Sequence, residues 1–443
     1  MGGLFSFLQR PTEEPLLAPA GVIEFNGRDG VLYARGAAGE EVEFKIKGCN
    51  WFGSEAYGGP PNGLAAHSIE WYLDFLQKHK FNALRLLFNH EHVFKDDIVQ
   101  TPQRERLLFQ KRYVHMFGIL AREAAKRGVL VLIACHRIKA DAWPGKGLWY
   151  DSTLGVSEDR VMQSWDLVTG ELCKHWNVLG ADLQNEPHSS SWGKNLDTDW
   201  NRAAERIGNH VSSRCPRWLI FVEGVGYTPG APNGDDPGAG IWWGENLIGT
   251  RVAPVRLQKQ EKLVYTPHVY GPSVYLQKYF QSPFFPNNMP AVWESHFAFT
   301  KEMTGRPIII GEMGGSYEGL DRQWQDWALP YAVSKGFGIF YFALNPCVPL
   351  SRTPDLWLLM LQCCLAALLP ALLPLTERSG DRDCSPPATA RIPPAWSMTT
   401  GTRRDRAPCK TINSKRSRRC LAPMSSSCAV RPAALSSAAH HPT

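Results

Sequence analysis

Short apolar runs recur along the first 346 residues, and segments with helical spacing separate them. The runs are rich in Val, Ile, Leu and Phe and predict eight buried strands, over 44–52, 83–88, 129–137, 178–186, 219–224, 263–270, 307–315 and 338–346. Apolar positions three and four residues apart predict helices, the clearest over 68–80, 113–128, 161–176 and 200–214. Strands that alternate with helices are typical of repeated βα units in a parallel sheet.

Eight βα units within about 300 residues favour a (β/α)8 TIM barrel over an open doubly wound sheet. No glycine-rich phosphate loop follows the first strand, which disfavours a dinucleotide-binding fold. The stretch 21–36 has glycine-rich turns and predicts an N-terminal β-hairpin laid against the barrel floor. We therefore predict an α/β chain with an N-terminal extension over 1–21, a catalytic barrel over 22–347 and an atypical, irregular or disordered tail over 348–443.

Polar side chains stand at the ends of several predicted strands. Asn185 and Glu186 close the fourth run, and Pro187 then removes a ladder donor, so the strand stops there. Catalytic residues of TIM barrels lie at these carboxyl ends. Further candidates stand within or at the ends of the other strands: Trp51, Arg85, His136, Arg137, Glu223, His268, Tyr270 and Glu312.

Glu186 and Glu312 bring two carboxylates to the same mouth of the predicted barrel. Glycoside hydrolysis needs such a pair, one acid to protonate the leaving oxygen and one carboxylate to attack or to activate water. Arg85 and Tyr270 suit donors that keep Glu312 ionised, because an opposite charge and hydrogen bonds to the anion both lower a carboxyl pKa. Each side chain also has a purely structural interpretation, and the residues alone do not separate Glu223 from the pair.

Longer motifs carry a family resemblance. The chain contains "LQNEP" and, further on, "IIIGEMG", with "HR" on the third strand and "PHVY" on the sixth. Together with "GCNWFGSE", "NEPHSSSWG", "AAERIGNHV" and "WWGENL", these motifs make 22–346 resemble glycoside hydrolase family 5, and within it the bacterial-type endoglucanase branch. The resemblance implies a retaining (β/α)8 hydrolase that cleaves internal β-1,4-glucosidic bonds of a β-glucan polysaccharide by double displacement, with no metal or cofactor.

The resemblance also implies the roles of individual residues. Glu186 matches the general acid/base, Glu312 the nucleophile, and Asn185 the amide that hydrogen-bonds the sugar 2-hydroxyl. The matching substrate-binding set is Trp51, Arg85, His136, Asn185, His268, Tyr270 and Phe342.

Aromatic residues raise separate expectations. Phe342 stands where relatives carry a tryptophan beneath the reacting sugar, and we expect weaker sugar binding there. Trp192, Trp242 and Trp243 fall in loops above the barrel, where they are either stacking platforms for glucose rings or core residues.

Two alternatives to a cellulase stay open at this stage. The same chemistry on mannan, xyloglucan or a glycolipid is one, because specificity lies in the loops. A non-catalytic carbohydrate-binding barrel is the other, since the family pattern stops at Cys347. The complete set of catalytic carboxylates and polar residues favours an enzyme.

The tail differs from the barrel in composition. Of the net charge of +6, residues 376–443 carry +8, so the first 375 residues carry −2 and offer no basic footprint for nucleic acid. The apolar segment 356–375 is long enough for a membrane span, but two prolines and a glutamine disfavour an anchor. We favour translated intron or shifted frame from 348 onward, with a divergent tail and an anchor as the alternatives.

Five cysteines precede the tail: Cys49, Cys135, Cys173, Cys215 and Cys347. None forms a CxxC pair, so they indicate neither a disulfide framework nor a zinc site. Cys49 and Cys135 lie in strand-like runs and are expected to be buried. The amino terminus has no secretory signal pattern, yet polymeric glucan favours an extracellular, monomeric enzyme.

Overall fold

The computed structural model describes residues 24–345, apart from 58, 104 and 227–240. Nine parallel strands form one curled sheet, and an isolated parallel bridge joins Tyr265 of the last strand in the sheet order to Ile308, just before Ile309–Gly314. A separate antiparallel sheet of three strands precedes it. The strands are β1 (Glu24–Arg28), β2 (Val31–Arg35), β3 (Glu41–Glu43), β4 (Lys47–Trp51), β5 (Ala83–Asn89), β6 (Leu130–Arg137), β7 (Val178–Asp182), β8 (Leu219–Val222), β9 (Leu263–Tyr265), β10 (His268–Tyr270), β11 (Ile309–Gly314) and β12 (Gly338–Tyr341).

Helices follow most of the barrel strands, as the alternating pattern predicts. The α-helices are α1 (Ser54–Tyr57), α2 (Ile69–Lys78), α3 (His90–Lys95), α4 (Tyr113–Ala125), α5 (Glu158–Leu172), α6 (Trp200–Arg214), α7 (Met289–Trp293), α8 (Phe299–Thr304) and α9 (Gly319–Lys335). Short 3-10 turns cover Ser152–Leu154, Ile248–Arg251, Gln260–Lys262 and Lys278–Gln281, and a π-helical turn covers Glu294–Ala298.

All eight predicted runs contain barrel strands, so the predicted TIM barrel is confirmed. The fourth run ends as a strand at Asp182, and the stretch that carries Glu186 is already a loop. The sixth run is two short strands, β9 and β10, because Pro267 between them has no N–H to donate to a ladder. The break leaves His268 at the start of the second piece.

The helix that follows the first barrel strand begins where its sequence pattern indicates. The Ser68 side chain caps α2 by accepting a hydrogen bond from the N–H of Trp71. Ile69, Leu73 and Leu76 then recur at helical spacing and are fully buried against the sheet. The helix thus lies flat on the outer face of the barrel.

The barrel floor is closed by the N-terminal hairpin. Phe25 and Leu32 from β1 and β2 join an apolar cluster with Leu132, Phe221 and Phe340, which lie on barrel strands. Lys262 reaches into the same joint, where its Nζ lies 2.9 Å from both the Glu24 carboxylate and the Phe25 carbonyl oxygen. The predicted hairpin on the floor is confirmed, and β3 adds a third strand that the turn pattern did not predict.

Several sequence predictions lie outside the described residues. These are the extension 1–21, Cys347, the tail 348–443 and its apolar segment 356–375. Within the described ranges, none of the helices combines the length and the hydropathy that crossing a bilayer requires.

The cysteine prediction needs a correction, because Cys173 and Cys215 form a disulfide. They are 42 residues apart in sequence but follow the adjacent helices α5 and α6, whose ends bring their Cα atoms to 5.8 Å. Spacing along the chain could not reveal this pair, since the contact depends on how two helices pack. Cys49 and Cys135 are free and buried, as expected.

The disulfide should contribute measurably to stability. We expect Cys173→Ser with Cys215→Ser to lower the free energy of unfolding by about 4 kcal/mol, from the loop that the bond closes in the unfolded chain. Urea denaturation of both proteins measures the difference. A reducing agent should lower the stability of the parent protein to that of the double variant and leave the variant unchanged; equal stability without reductant would contradict the prediction.

Candidate active site

A single buried arginine occupies the centre of the barrel mouth. Arg85 lies on β5, where every residue is buried, and its side chain is fully enclosed. Its guanidinium donates hydrogen bonds of 2.6–3.2 Å to five side chains, which come from β4, β7 and β11 and from the loops after β7 and β8: Asn50, Asp182, Asn185, Glu223 and Glu312. A planar group with five N–H donors suits this position because it binds several oxygens at fixed angles.

Glu312 lies on β11 with both carboxylate oxygens bound to donors. Arg85 Nη1 donates to Oε1 over 2.6 Å, and the Tyr270 hydroxyl donates to Oε2. His136 Nε2 lies 3.7 Å from Oε1. Burial favours the neutral acid, yet His268, His136 and Arg85 together hold the pKa of Glu312 well below its usual range. Glu312 is therefore ionised and oriented, as an attacking carboxylate must be.

Glu186 is held differently. Its backbone has a φ of 44°, in the left-handed region that non-glycine residues rarely adopt, and its N–H donates to Glu223 Oε2 over 2.7 Å. Its own Oε1 lies 2.9 Å from His268 Nδ1. Carboxylate oxygens of Glu186 and Glu312 lie within 4.8 Å of each other, with His268 beside both. Separations near 5 Å characterise glycosidases that retain configuration.

The same side chains form two groups whose spacing could suit a metal ion, namely Asp182, Glu223 and His268, and Glu186, His268 and Glu312. Arg85 already binds Asp182, Glu223 and Glu312. The positive charge that a metal would bring to these carboxylates is thus supplied by the protein.

A cleft opens beside Glu186. Its walls include His136, Asn185 and Glu186 from the strand ends, together with Trp143 and Tyr150 from the loop after β6. The Trp143 ring stacks on His136, with centroids 5.1 Å apart, and remains 40% exposed. The cleft therefore offers an aromatic wall next to paired carboxylates, which suits a sugar ring above a reacting bond.

Comparison with known proteins identifies the family. Residues 37–347 match the family described as Cellulase (glycosyl hydrolase family 5). The chain belongs to glycosyl hydrolase family 5.

Relatives in family 5 cover most of the barrel. An endoglucanase of Paenibacillus polymyxa is 33% identical over 326 residues, which are 70% of this chain and 77% of the relative. The major extracellular endoglucanase of Xanthomonas campestris pv. campestris is 35% identical over 312 residues, 68% of this chain and 62% of the relative. Among solved structures, an endocellulase variant of Pyrococcus horikoshii in complex with cellotetraose superposes with a TM-score of 0.70 at 30% identity, covering 81% of this chain and all of that one.

The structure brings most of the predicted family 5 residues together. Seven of them surround the same point at the barrel mouth: Arg85, His136, Asn185, Glu186, His268, Tyr270 and Glu312. Trp51 is not among them. It is fully buried, packs on Tyr72 of α2 with ring centroids 4.9 Å apart, and donates from its indole to the Asn62 carbonyl oxygen. Side chains alternate along β4, so Asn50 faces Arg85 and Trp51 faces the helices.

The remaining aromatic candidates occupy three different environments. Phe342 is half-buried and lies beside Tyr270, with the two ring centroids 6.4 Å apart. Trp192 is a core residue, with 3% exposure and its indole N–H on the Ala253 carbonyl. Trp242 packs edge-on against Tyr270, whereas Trp243 is 42% exposed.

Sequence reasoning missed two members of the site and left a third undecided. Asn50 and Asp182 bind Arg85 from β4 and β7, and Glu223 binds it from the end of β8. Asp182 lies in a buried strand, four positions before Glu186. Charged residues are rarely buried without a partner, so an aspartate within this apolar run could have indicated a site residue.

Tyr270→Phe should move the acidic limb of the pH profile. The variant loses a hydrogen bond to the ionised form of Glu312, which raises the pKa of this carboxyl group. The acidic limb of the pH profile of kcat/KM should therefore shift to higher pH by about one unit. Tyr331→Phe is the matched control, because Tyr331 donates to Glu294 over 2.8 Å on the outer face of the barrel. Its profile should coincide with that of the parent, and an unmoved limb in Tyr270→Phe would contradict the assignment.

Proposed function

We propose that this family 5 glycoside hydrolase is a retaining endo-β-1,4-glucanase, with Glu312 as the nucleophile and Glu186 as the acid/base. The observation that carries the proposal is the carboxylate pair within 4.8 Å, in which Arg85 and Tyr270 bind one member and His268 the other. Differences in environment are what divide two carboxyl groups into distinct roles.

The reaction follows from these environments. The Glu312 carboxylate attacks the anomeric carbon while the Glu186 carboxyl gives its proton to the departing glycosidic oxygen, which leaves as a free hydroxyl. A glycosyl ester on Glu312 results. Glu186, now a carboxylate, takes a proton from water as the water oxygen attacks the anomeric carbon, and Glu312 is released as the carboxylate. Two inversions at one carbon leave its configuration unchanged.

Asn185 is available to bind the sugar beside this carbon. Its Oδ1 accepts from Arg85 Nη2 over 3.0 Å, which fixes the orientation of the amide. Its Nδ2 is buried in the site with no protein acceptor among the described residues. A buried donor without a partner is costly unless a ligand satisfies it, and the sugar 2-hydroxyl is the acceptor that the family resemblance suggests.

The substrate class follows from the relatives. The curated relatives are named endoglucanases, and the Pyrococcus horikoshii structure is a complex with cellotetraose. We therefore propose β-1,4-glucan as the polysaccharide, with neither a metal nor an organic cofactor. Parallel assays on carboxymethyl cellulose, mannan and xyloglucan test this, and faster turnover of mannan or xyloglucan would reassign the substrate.

We also propose that the enzyme is exported and acts as a monomer without a nucleic-acid partner. The Xanthomonas relative is named an extracellular enzyme, and disulfides such as Cys173–Cys215 persist in oxidising compartments. Fractionation of the native host tests export. Native protein confined to the cytosol with both thiols free would contradict it.

The two catalytic glutamates should fail differently when replaced. Glu312→Gln should remove nearly all turnover on every substrate, because no glycosyl ester can form. Glu186→Ala should keep most of its kcat/KM on dinitrophenyl β-cellobioside, whose leaving group needs little protonation, and lose about 100-fold or more on cellotetraose. Added azide should accelerate breakdown of the intermediate in Glu186→Ala. Equal losses on both substrates in a folded protein, without azide rescue, would remove Glu186 from the acid/base role.

Trp243 is the aromatic residue best exposed to a sugar ring on the Glu186 side. Its ring stacks on His188 at 3.8 Å, and His188 Nδ1 lies 3.0 Å from the Glu186 carbonyl oxygen. We expect Trp243→Ala to raise KM for cellotetraose by roughly tenfold, as one lost stacking platform predicts, with little change on a short aryl glycoside. Trp327→Ala, an equally exposed tryptophan on α9, is the control and should leave KM unchanged. An unchanged KM in Trp243→Ala would exclude the stacking role.

A further inference from the structure

A third glutamate lies directly beneath the acid/base. Glu223 follows β8 and is completely buried. Three nitrogens surround its two oxygens: the Glu186 backbone N–H is 2.7 Å from Oε2, while Arg85 Nη2 and His268 Nε2 lie 3.2 Å and 3.1 Å from Oε1. A carboxylate offers acceptor positions to all of them. A glutamine would turn an NH2 group toward at least one of these nitrogens, because an amide has only one acceptor atom.

The imidazole of His268 links this glutamate to the reaction. One ring nitrogen faces Glu223, and the other, Nδ1, lies 2.9 Å from Glu186 and 3.7 Å from Glu312. Burial opposes a charged imidazole, but the carboxylates of Glu223 and Glu312 raise the pKa of His268 well above its usual range. Burial likewise raises the pKa of Glu223, whose Oε1 lies at ion-pair distance, 3.1 Å, from Nε2 without the alignment of a hydrogen bond.

Two glycines keep the ring from turning. A Cβ on Gly311 would lie 2.8 Å from His268 Nε2, and one on Gly244 would lie 3.3 Å from its Cγ and 2.8 Å from Glu223 Oε2. The backbone therefore packs closely against both groups and leaves little space for the ring to rearrange. The ring has one orientation, with Nδ1 toward the catalytic pair.

We propose that Glu223 is a positioning residue for Glu186: one of its oxygens holds the Glu186 main chain, and the other fixes His268 so that Nδ1 always presents a hydrogen to the Glu186 carboxyl group.

This arrangement serves both half-reactions of the proposed mechanism, on which it depends. When Glu186 has given up its proton, the Nδ1–H group donates to the new carboxylate and stabilises its charge. The main-chain contact keeps Glu186 in its left-handed conformation throughout. The ion pair of Glu223 and His268 is unchanged at every stage, so no atom is transferred through these two groups.

Glu223→Gln tests the proposal by its dependence on the leaving group. We expect kcat/KM on cellotetraose to fall about 100-fold, while kcat/KM on dinitrophenyl β-cellobioside falls less than about threefold, because only the first needs a well-placed acid. KM should change little. Glu223→Asp keeps two acceptor oxygens and should recover part of the loss on cellotetraose, whereas a role in packing alone would favour the isosteric Gln over Asp.

Asp182→Asn is the matched control. Asp182, on β7, is as buried as Glu223 and also binds Arg85, at 2.9 Å. It acts through the ion pair of Arg85 with the nucleophile Glu312. Its loss should lower kcat/KM on both substrates by similar factors. The same pattern in Glu223→Gln would overturn the proposal; if Glu186→Ala nevertheless shows leaving-group dependence, the proposed function survives and only the role of Glu223 fails.

Nitrogen NMR of histidine-labelled parent protein gives a test that needs no Glu223 variant. The signal of His268 is assigned by its absence in His268→Gln. It should show a hydrogen on Nδ1 from pH 5 to pH 8, because the contact with Glu223 keeps the imidazole from titrating in this range. A His268 ring without a hydrogen on Nδ1 in this range would overturn the proposal. This result does not depend on activity, so it remains decisive if Glu223→Gln does not fold.

Discussion

The charge of Arg85 is the constraint on which the active site depends. A lone guanidinium buried in the centre of a barrel would be strongly unfavourable, and so would each of the carboxylates around it. Together, Arg85, Asp182, Glu223 and Glu312 satisfy one another at 2.6–3.2 Å. Several strands of the barrel thereby bind one planar group. A lysine could not reproduce these contacts because its ammonium lacks the planar set of donors of a guanidinium.

The cluster around Arg85 carries a surplus of negative charge. One guanidinium cannot neutralise three carboxylates, so the remaining demand is met by His268, by the Tyr270 hydroxyl and by the Glu186 backbone N–H. Glu312 receives the strongest donors and stays ionised. Glu186 lies at the edge of the cluster, bound through its main chain and a single imidazole contact. In the proposed mechanism, the distribution of donors, rather than any difference between the two side chains, separates attack from proton transfer.

The strand pattern predicted the barrel because burial on both faces makes parallel strands nearly continuous apolar runs, whereas glycine-rich turns predicted the hairpin on its floor. The polar residues predicted at the strand ends lie close together because all parallel strands end at one mouth. Trp51 was predicted to line the site, but its neighbour Asn50 occupies the inward position. A strand buried on both faces has no alternation of apolar and polar residues, so its sequence does not show which side chains point inward. The Cys173–Cys215 bond depends on the packing of α5 on α6, and the break between β9 and β10 depends on one proline, so neither follows from periodicity alone.

The hairpin on the barrel floor has an electrostatic consequence. Phe25 and Leu32 make the lower half of the barrel an apolar plug beneath the charged residues. Field lines spread far less easily through such a weakly polarisable medium than through water. The potential created by Arg85 and its carboxylates is therefore directed upward, toward the open mouth, as in a half-space bounded by an insulator. A strand pair remote from the chemistry thus focuses the field that acts on the bound sugar.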